Sequence, residues 1–370
     1  MAPVIREFRK NKQRFAARIC VTAQHRQMLD QVLRLFDIKP HDDLNIMTRR
    51  QSLPGLTAKV LKRVTAVLEK ENPDLVFVQG DTITTLAAAQ AAYYLRIPVA
   101  HIEAGLRTGH KYSPFPEEMN RRLTSVLCDF HFAPTPGAKR NLTAEGFPES
   151  SICVTGNTVI DALLTVVRSQ QSKAKKKMLE EYFTKTWGLA LTAGADKSRL
   201  ILVTGHRRES FGAGFKNICR ALRHLAENNK DVQIVYPVHL NPNVQAPVRS
   251  ILGNIRNVHL LPPLDYEPFV FLMSQSYLIL TDSGGIQEEA PSLGVPVLVL
   301  RDTSERPEGI RAGSARLTGT DAKIIVKETQ KLLDDKRECR RMARVVNPYG
   351  DGKASQRIVK CILNHFGRNR

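Results

Sequence analysis

At 370 residues the chain exceeds what one hydrophobic core organises comfortably, so two domains of roughly 150 to 200 residues each are expected. A hydrophobic content of 42% is ordinary for a globular protein, no apolar run approaches the ~18 residues of a membrane span, and the charge-broken start MAPVIREFRKNKQRFAAR lacks the apolar stretch of a secretory signal. The net charge of +19 is spread over the N-terminal stretch, Arg168 to Lys177 and the C-terminal stretch without zinc-finger spacing, an RRM signature or aromatic–basic interleaving, so a solvated basic surface is expected, with no nucleic-acid or membrane partner.

Apolar strand-like runs alternate with helical patterns: ARICVT, DLVFVQ, IPVAHIE, DFHFA and SICVT in the first half, then RLILVT, DVQIVYP, NVHLL, YLILT, PVLVL and SARLT. Such alternation predicts an α/β fold with a parallel sheet and crossover helices in each half. Residues 168–198 lose strand character and turn polar and basic, which sets a domain boundary there: 1–170 as a first Rossmann-like domain and 171–350 as a second. A final helix follows the turn-rich NPYGDG, and 351–370 is expected to pack back on the first domain. Cys20, Cys128, Cys153, Cys219, Cys339 and Cys361 form no CxxC pair and no metal-ligand spacing, so reduced thiols in the cytoplasm are expected and no metal site.

In open parallel sheets ligands sit beyond the carboxyl ends of the strands, so the residues after each run carry the functional expectation. Asp81 follows Gly80 at a strand end; it either caps the next helix or handles protons. Glu103 closes an apolar strand before Ala-Gly, where a carboxylate has little structural work. Glu117 and Glu118 stand in the first turn of a helix, where compensation of the helix dipole accounts for at least one of them. His206 follows a strand and precedes Arg207 and Arg208, a candidate anion-facing loop at a helix entrance. The glycines at 212 and 214 lack the third glycine of a dinucleotide fingerprint, and no nicotinamide or other cofactor is expected. TDSGGIQEEAPSLG, residues 281–294, puts two glycines and then two glutamates between strand-like runs. Glycines there let backbone N–H groups approach a phosphate, while an acidic side chain suits ribose hydroxyls; a nucleoside diphosphate satisfies both.

QGDTITTLA, HIEAGLRTG, YSPFPEEMNR, GNTVIDAL, TGHRRESFG, YPVHLNPNV, LTDSGGIQEEAPSLG and NPYGDG, in this order and over nearly the whole chain, resemble the non-hydrolysing UDP-N-acetylglucosamine 2-epimerases of bacteria. The resemblance implies two Rossmann-like domains facing a cleft, the glycosyltransferase-B arrangement. The implied activity is interconversion of UDP-GlcNAc and UDP-ManNAc for cell-envelope polysaccharide precursors, through elimination and re-addition of UDP. By the same resemblance Ser283, Gly284 and Gly285 hold the diphosphate, Glu289 takes the ribose hydroxyls, Glu288 is structural, Phe269 lies against the uracil, and Arg306 and His239 add contacts. Asp81, Glu103, Glu117 and His206 correspond to the family's catalytic positions. A second UDP-GlcNAc acting as an allosteric activator would meet Gln24, Gln27, Arg50, Gln51 and Arg207, and a homodimer is implied. A glycosyltransferase of the same fold, a hydrolysing relative and a non-catalytic sugar-nucleotide binder remain alternatives; the products formed from UDP-GlcNAc alone separate them. Family members begin with an apolar strand and a GTRPE-containing loop that runs into a segment like MAPVIREFRK, where Met1 stands here. The expectation is that a chain without that strand folds poorly and turns over slowly until such a segment is restored.

Overall fold

The computed structural model describes residues 1–23, 26–47, 51–191 and 199–368. They divide into two compact units, Met1–Ala162 with the segment from Tyr349 onward, and Leu163–Pro348.

The first unit runs α1 (Ala2–Lys10), β1 (Cys20–Val21), α2 (Arg26–Leu35), β2 (Asp42–Asp43), α3 (Leu53–Glu71), β3 (Val76–Gln79), α4 (Ile83–Tyr94), β4 (Val99–Ile102), α5 (Glu117–Leu127), β5 (Phe130–Ala133), α6 (Pro136–Ala144) and β6 (Ile152–Val154). It ends in α7 (Thr158–Ser169), through which the division passes, and it includes α16 (Ala354–Arg368). Strands β3-β4-β5-β6 make a parallel sheet in that order, and β1-β2 a separate parallel pair. β4 is buried along its whole length, as a strand covered on both faces must be. The alanines of α4, with Ala87, Ala89, Ala91 and Ala92 fully buried, pack with Val60, Val64 and Leu68 of α3 in one core. Ser52 and Thr82 cap α3 and α4 through their side chains, and Asn72 ends α3 in the left-handed conformation.

α16 is fastened to this unit twice. Val4 and Phe8 of α1 share a core with Ile358, Val359 and Ile362 and with Phe132 of β5. The buried carboxylate of Asp161 accepts from the N–H of Ala354 at 3.1 Å, from the N–H of Ser355 at 2.8 Å and from its hydroxyl at 2.6 Å. An acid distant in sequence thus satisfies the orphan donors of the helix start. Cys153 of β6 and Cys361 of α16 come together with their Cα atoms 7.3 Å apart, a wider span than a disulfide takes. The two lie 208 residues apart, a separation that leaves no local signal in the sequence.

The second unit runs α8 (Lys173–Trp187), β7 (Arg199–Thr204), α9 (Ala213–Asn228), β8 (Val232–Pro237), α10 (Pro242–Leu252), β9 (Val258–Leu261), α11 (Tyr266–Gln275), β10 (Leu278–Thr281), α12 (Gly284–Glu289), β11 (Val297–Val299), α13 (Pro307–Ala312), β12 (Ala315–Leu317), α14 (Ala322–Asp334) and α15 (Lys336–Ala343). Its sheet is all parallel in the order β12-β11-β10-β7-β8-β9. Counted from β7, that is the doubly wound order, with its switch point where β7 and β10 lie side by side. Thr204 ends β7 and Thr281 ends β10, in register, and their hydroxyls are hydrogen-bonded at 2.6 Å. The loops leaving the switch point are therefore the ones that begin at Gly205 and at Asp282. Among the described residues no helix is long and apolar enough to cross a membrane, and no group of acidic, histidine and cysteine side chains is arranged to hold a metal ion.

Candidate functional site

In the first unit three of the four candidate catalytic residues gather at one end of the sheet. Asp81 follows β3 and Glu103 follows β4, strands joined side by side up to the hydrogen bond from the Gly80 N–H to the Ile102 carbonyl. Glu117 opens α5. Two other residues of α5 grip Asp81: Asn120 Nδ2 donates to its carbonyl at 2.9 Å and Arg121 donates to Oδ2 at 2.6 Å. All three candidate acids are half-buried, open enough to meet a ligand.

The structure separates these acids from their structural neighbours. Thr82, not Asp81, accepts the hydrogen bond that caps α4, which leaves the Asp81 carboxylate for other work. Glu118 is buried, accepts from the Thr108 and Gly109 N–H groups and pairs with Arg121, so it braces the loop before α5 while Glu117 does not share that role. Glu103 sits at φ 67°, a left-handed conformation that a non-glycine residue seldom adopts. Strain of this kind concentrates at functional positions. His101, on β4, is held neutral: burial pushes its pKa down to about 4, although its Nε2 lies 2.8 Å from the Gly80 carbonyl. It is packing beneath the site.

In the second unit His206 leaves β7 directly beside Asp282, which leaves β10. The Oδ2 atom of Asp282 accepts from the N–H of His206 at 2.7 Å and of Arg207 at 2.8 Å. Oδ1 lies 3.1 Å from His206 Nδ1, close enough for an ion pair though not aligned as a hydrogen bond. Burial works to raise the Asp282 carboxyl, yet the His206 ring and the two N–H groups outweigh it and hold it below the usual carboxylate range. The exposed ring of His239 stacks at 5.8 Å on His206, which brings two candidates together. The expected helix entrance after His206 is shorter than the sequence implied: a single 3-10 turn covers Arg208–Ser210, and α9 starts only at Ala213 behind Gly212.

Ser283 is the residue before α12, and Gly284 and Gly285 form its first turn. A methyl group on Gly284 would meet the Arg306 guanidinium at 3.6 Å, ordinary contact, so Arg306 lies against the glycine turn. Arg306 is also bonded through Nε to the buried Glu288, which fixes Glu288 as the structural member of the glutamate pair. Glu289 is buried at the end of α12, where burial pushes its carboxyl up to about 7, the Tyr266 hydroxyl opposes the shift and the charge of Glu288 adds to it. Phe269 is half-buried on α11, one turn after Tyr266.

Gln24 and Arg50 lie outside the described residues. Gln27 is exposed on α2, Gln51 donates to the Ile46 carbonyl at 2.7 Å, and Arg207 lies 3.5 Å from Glu305. Sequence reasoning passed over Asp282, Arg121 and Tyr266. Asp282 stood in view between a strand end and two glycines, and an acid in that position is itself a signal. Tyr266 had none, because its partner lies 23 residues away.

A family model described as UDP-N-acetylglucosamine 2-epimerase matches residues 6–363. The UDP-N-acetylglucosamine 2-epimerase of Escherichia coli strain K12 is 54% identical over 365 residues, 99% of this chain and 95% of that protein. The crystal structure of UDP-GlcNAc 2-epimerase from Neisseria meningitidis bound to UDP-GlcNAc superposes with a TM-score of 0.92 at 50% identity, covering 98% of this chain and 96% of that one. The S. aureus MnaA structure with UDP superposes at 0.87 with 42% identity, covering 99% and 93%. With its α/β units, its parallel sheets and this likeness along nearly its whole length, the chain belongs to the UDP-N-acetylglucosamine 2-epimerase family.

Proposed function

We propose that this protein interconverts UDP-GlcNAc and UDP-ManNAc without net hydrolysis. The observation that carries the proposal is the 50% identity, over 98% of the chain, to a protein crystallised with UDP-GlcNAc. The C2 hydrogen of an acetamido sugar is weakly acidic, and elimination avoids having to oxidise a neighbouring carbon. A base removes the C2 proton while the C1–O bond breaks and its electrons leave on UDP, giving a 2-acetamidoglucal. UDP then re-adds at C1 as a proton is delivered to the other face of C2. Two proton-handling groups are required, and carboxylates suit the task.

Asp81 and either Glu103 or Glu117 are assigned that work. Arg121 donates to Asp81 Oδ2 and holds that carboxylate in place. His206, oriented by Asp282, assists the departing diphosphate, because a donor aimed at developing negative charge stabilises the transition state. Ser283, Gly284 and Gly285 take the diphosphate, with Arg306 beside them and His239 next to His206. Glu289 takes the ribose hydroxyls and Phe269 the uracil.

UDP-GlcNAc is also proposed as an activator that meets Gln24, Gln27, Arg50, Gln51 and Arg207; the Arg207 Nε, buried without a hydrogen-bond partner, supports a polar ligand there. A homodimer is supported by Tyr93 and Tyr94 on α4 and Leu123 and Val126 on α5, all exposed. The test of the reaction is incubation with UDP-GlcNAc alone. A mixture containing UDP-ManNAc is the expected product; free ManNAc with UDP would point to a hydrolysing enzyme, and unchanged substrate would reject the proposal.

A further inference from the structure

Tyr266 is the first residue of α11 and Glu289 the last of α12, and the Tyr266 hydroxyl donates to Glu289 Oε1. Phenylalanine would fill the same space; the hydroxyl alone makes this bond. A carboxylate offers about four lone-pair directions. Tyr266 occupies one on Oε1, leaving Oε2 and the remaining direction on Oε1 for two neighbouring hydroxyls. Phe269 stands three residues further along α11, on the same face of the helix. One helix thus carries the ring proposed against the base and the hydroxyl that holds the proposed ribose acceptor.

We propose that Tyr266 is the positioning residue for Glu289, fixing its carboxylate so that both ribose hydroxyls of the nucleotide are bonded and a sugar lacking them is rejected. The proposal rests on the ribose role proposed for Glu289. A site built to bond hydroxyls discriminates strongly against analogues without them, because its buried acceptors are then left unpaired. The groups that face Glu289 are Tyr266 from α11 and Glu288 beside it on α12, the latter paired with Arg306. Burial pushes the Glu289 carboxyl up to about 7, so its charge changes within the working range. The sign follows from the acceptors. Above that pH the ionised carboxylate accepts fully; below it one oxygen carries a proton, and the ribose-dependent part of the affinity is lost as pH falls.

The experiment measures Kd by calorimetry for UDP and for 2′,3′-dideoxy-UDP between pH 6 and 9, on the wild type, Tyr266→Phe and Glu289→Gln. Both nucleotides share the diphosphate, so the ratio of their Kd values removes its own titration. For the wild type the preference for UDP should rise about tenfold from pH 6 to pH 8, as expected of one carboxyl titrating near the middle. In Tyr266→Phe the preference should be lower than the wild type's at every pH, because the carboxylate is no longer held toward both hydroxyls, and its rise should also move to higher pH, because a hydrogen bond to the ionised form has been lost. Glu289→Gln should give a small, flat ratio. A Tyr266→Phe protein with the wild-type ratio and midpoint would overturn the proposal, as would an equal, pH-independent loss of both nucleotides, the mark of a packing role. If Glu289→Gln keeps the wild-type ratio, the ribose role of Glu289 is what fails, and Tyr266 falls with it.

Discussion

A glycine after a strand can be there for the fold or for the ligand, and Gly284 separates the two. Its backbone is not left-handed, and an added methyl group would meet the Arg306 guanidinium at an ordinary 3.6 Å. Gly284→Ala should therefore melt within about 1 kcal/mol of the wild type, yet lose UDP affinity by tenfold or more if a phosphate must approach the backbone there. Unchanged UDP binding would remove the diphosphate from that turn. The acids divide on similar grounds. Asp81→Asn and Glu103→Gln should each lower turnover by about 10² or more with UDP affinity retained. Asp282→Asn, which unsettles His206 without touching the sugar, should cost part of the ~10² to 10³ that a positioned donor supplies. A variant that lost only nucleotide affinity would put its residue among the binding groups.

At the scale of elements, the strands were legible because each is an apolar run closed by a polar or glycine-bearing loop. RLILVT is read without error as Arg199–Thr204, and the other ten apolar runs contain their strands with trimmed ends. β2 was not legible: its two residues are Asp42 and Asp43, which no hydrophobic pattern marks. Long-range ties were invisible for a different reason, since hydrogen-bond partners such as Asp161 and Ser355 share no local pattern. That tie makes its own prediction. Asp161→Ala leaves two backbone donors and a hydroxyl of α16 unpaired where they are buried, and should cost on the order of 3 kcal/mol in denaturant unfolding. Limited proteolysis should then cut first near residue 354, at the start of α16. A variant as stable as the wild type, with α16 still protected, would mean that the apolar contacts of Val4, Phe8 and Ile358 hold the helix alone.

For the whole molecule, the family was readable as an ordered set of motifs, and the structure adds that Thr82 rather than Asp81 caps α4 and that Glu118 braces the loop before α5. The proposed activation by the substrate makes a prediction of its own. UDP-ManNAc alone should then react with a lag that a trace of UDP-GlcNAc abolishes, followed by coupled release of UDP-GlcNAc in a stopped assay. Equal initial rates with and without the trace would remove the activator.

The central claim is elimination at C2, and the most direct measurement is the reaction run in deuterium oxide with UDP-GlcNAc and followed by proton NMR and mass spectrometry. The account predicts that every molecule of UDP-ManNAc formed carries deuterium at C2 and that recovered UDP-GlcNAc gains it as equilibrium is approached. UDP-ManNAc formed with its C2 hydrogen intact would contradict it.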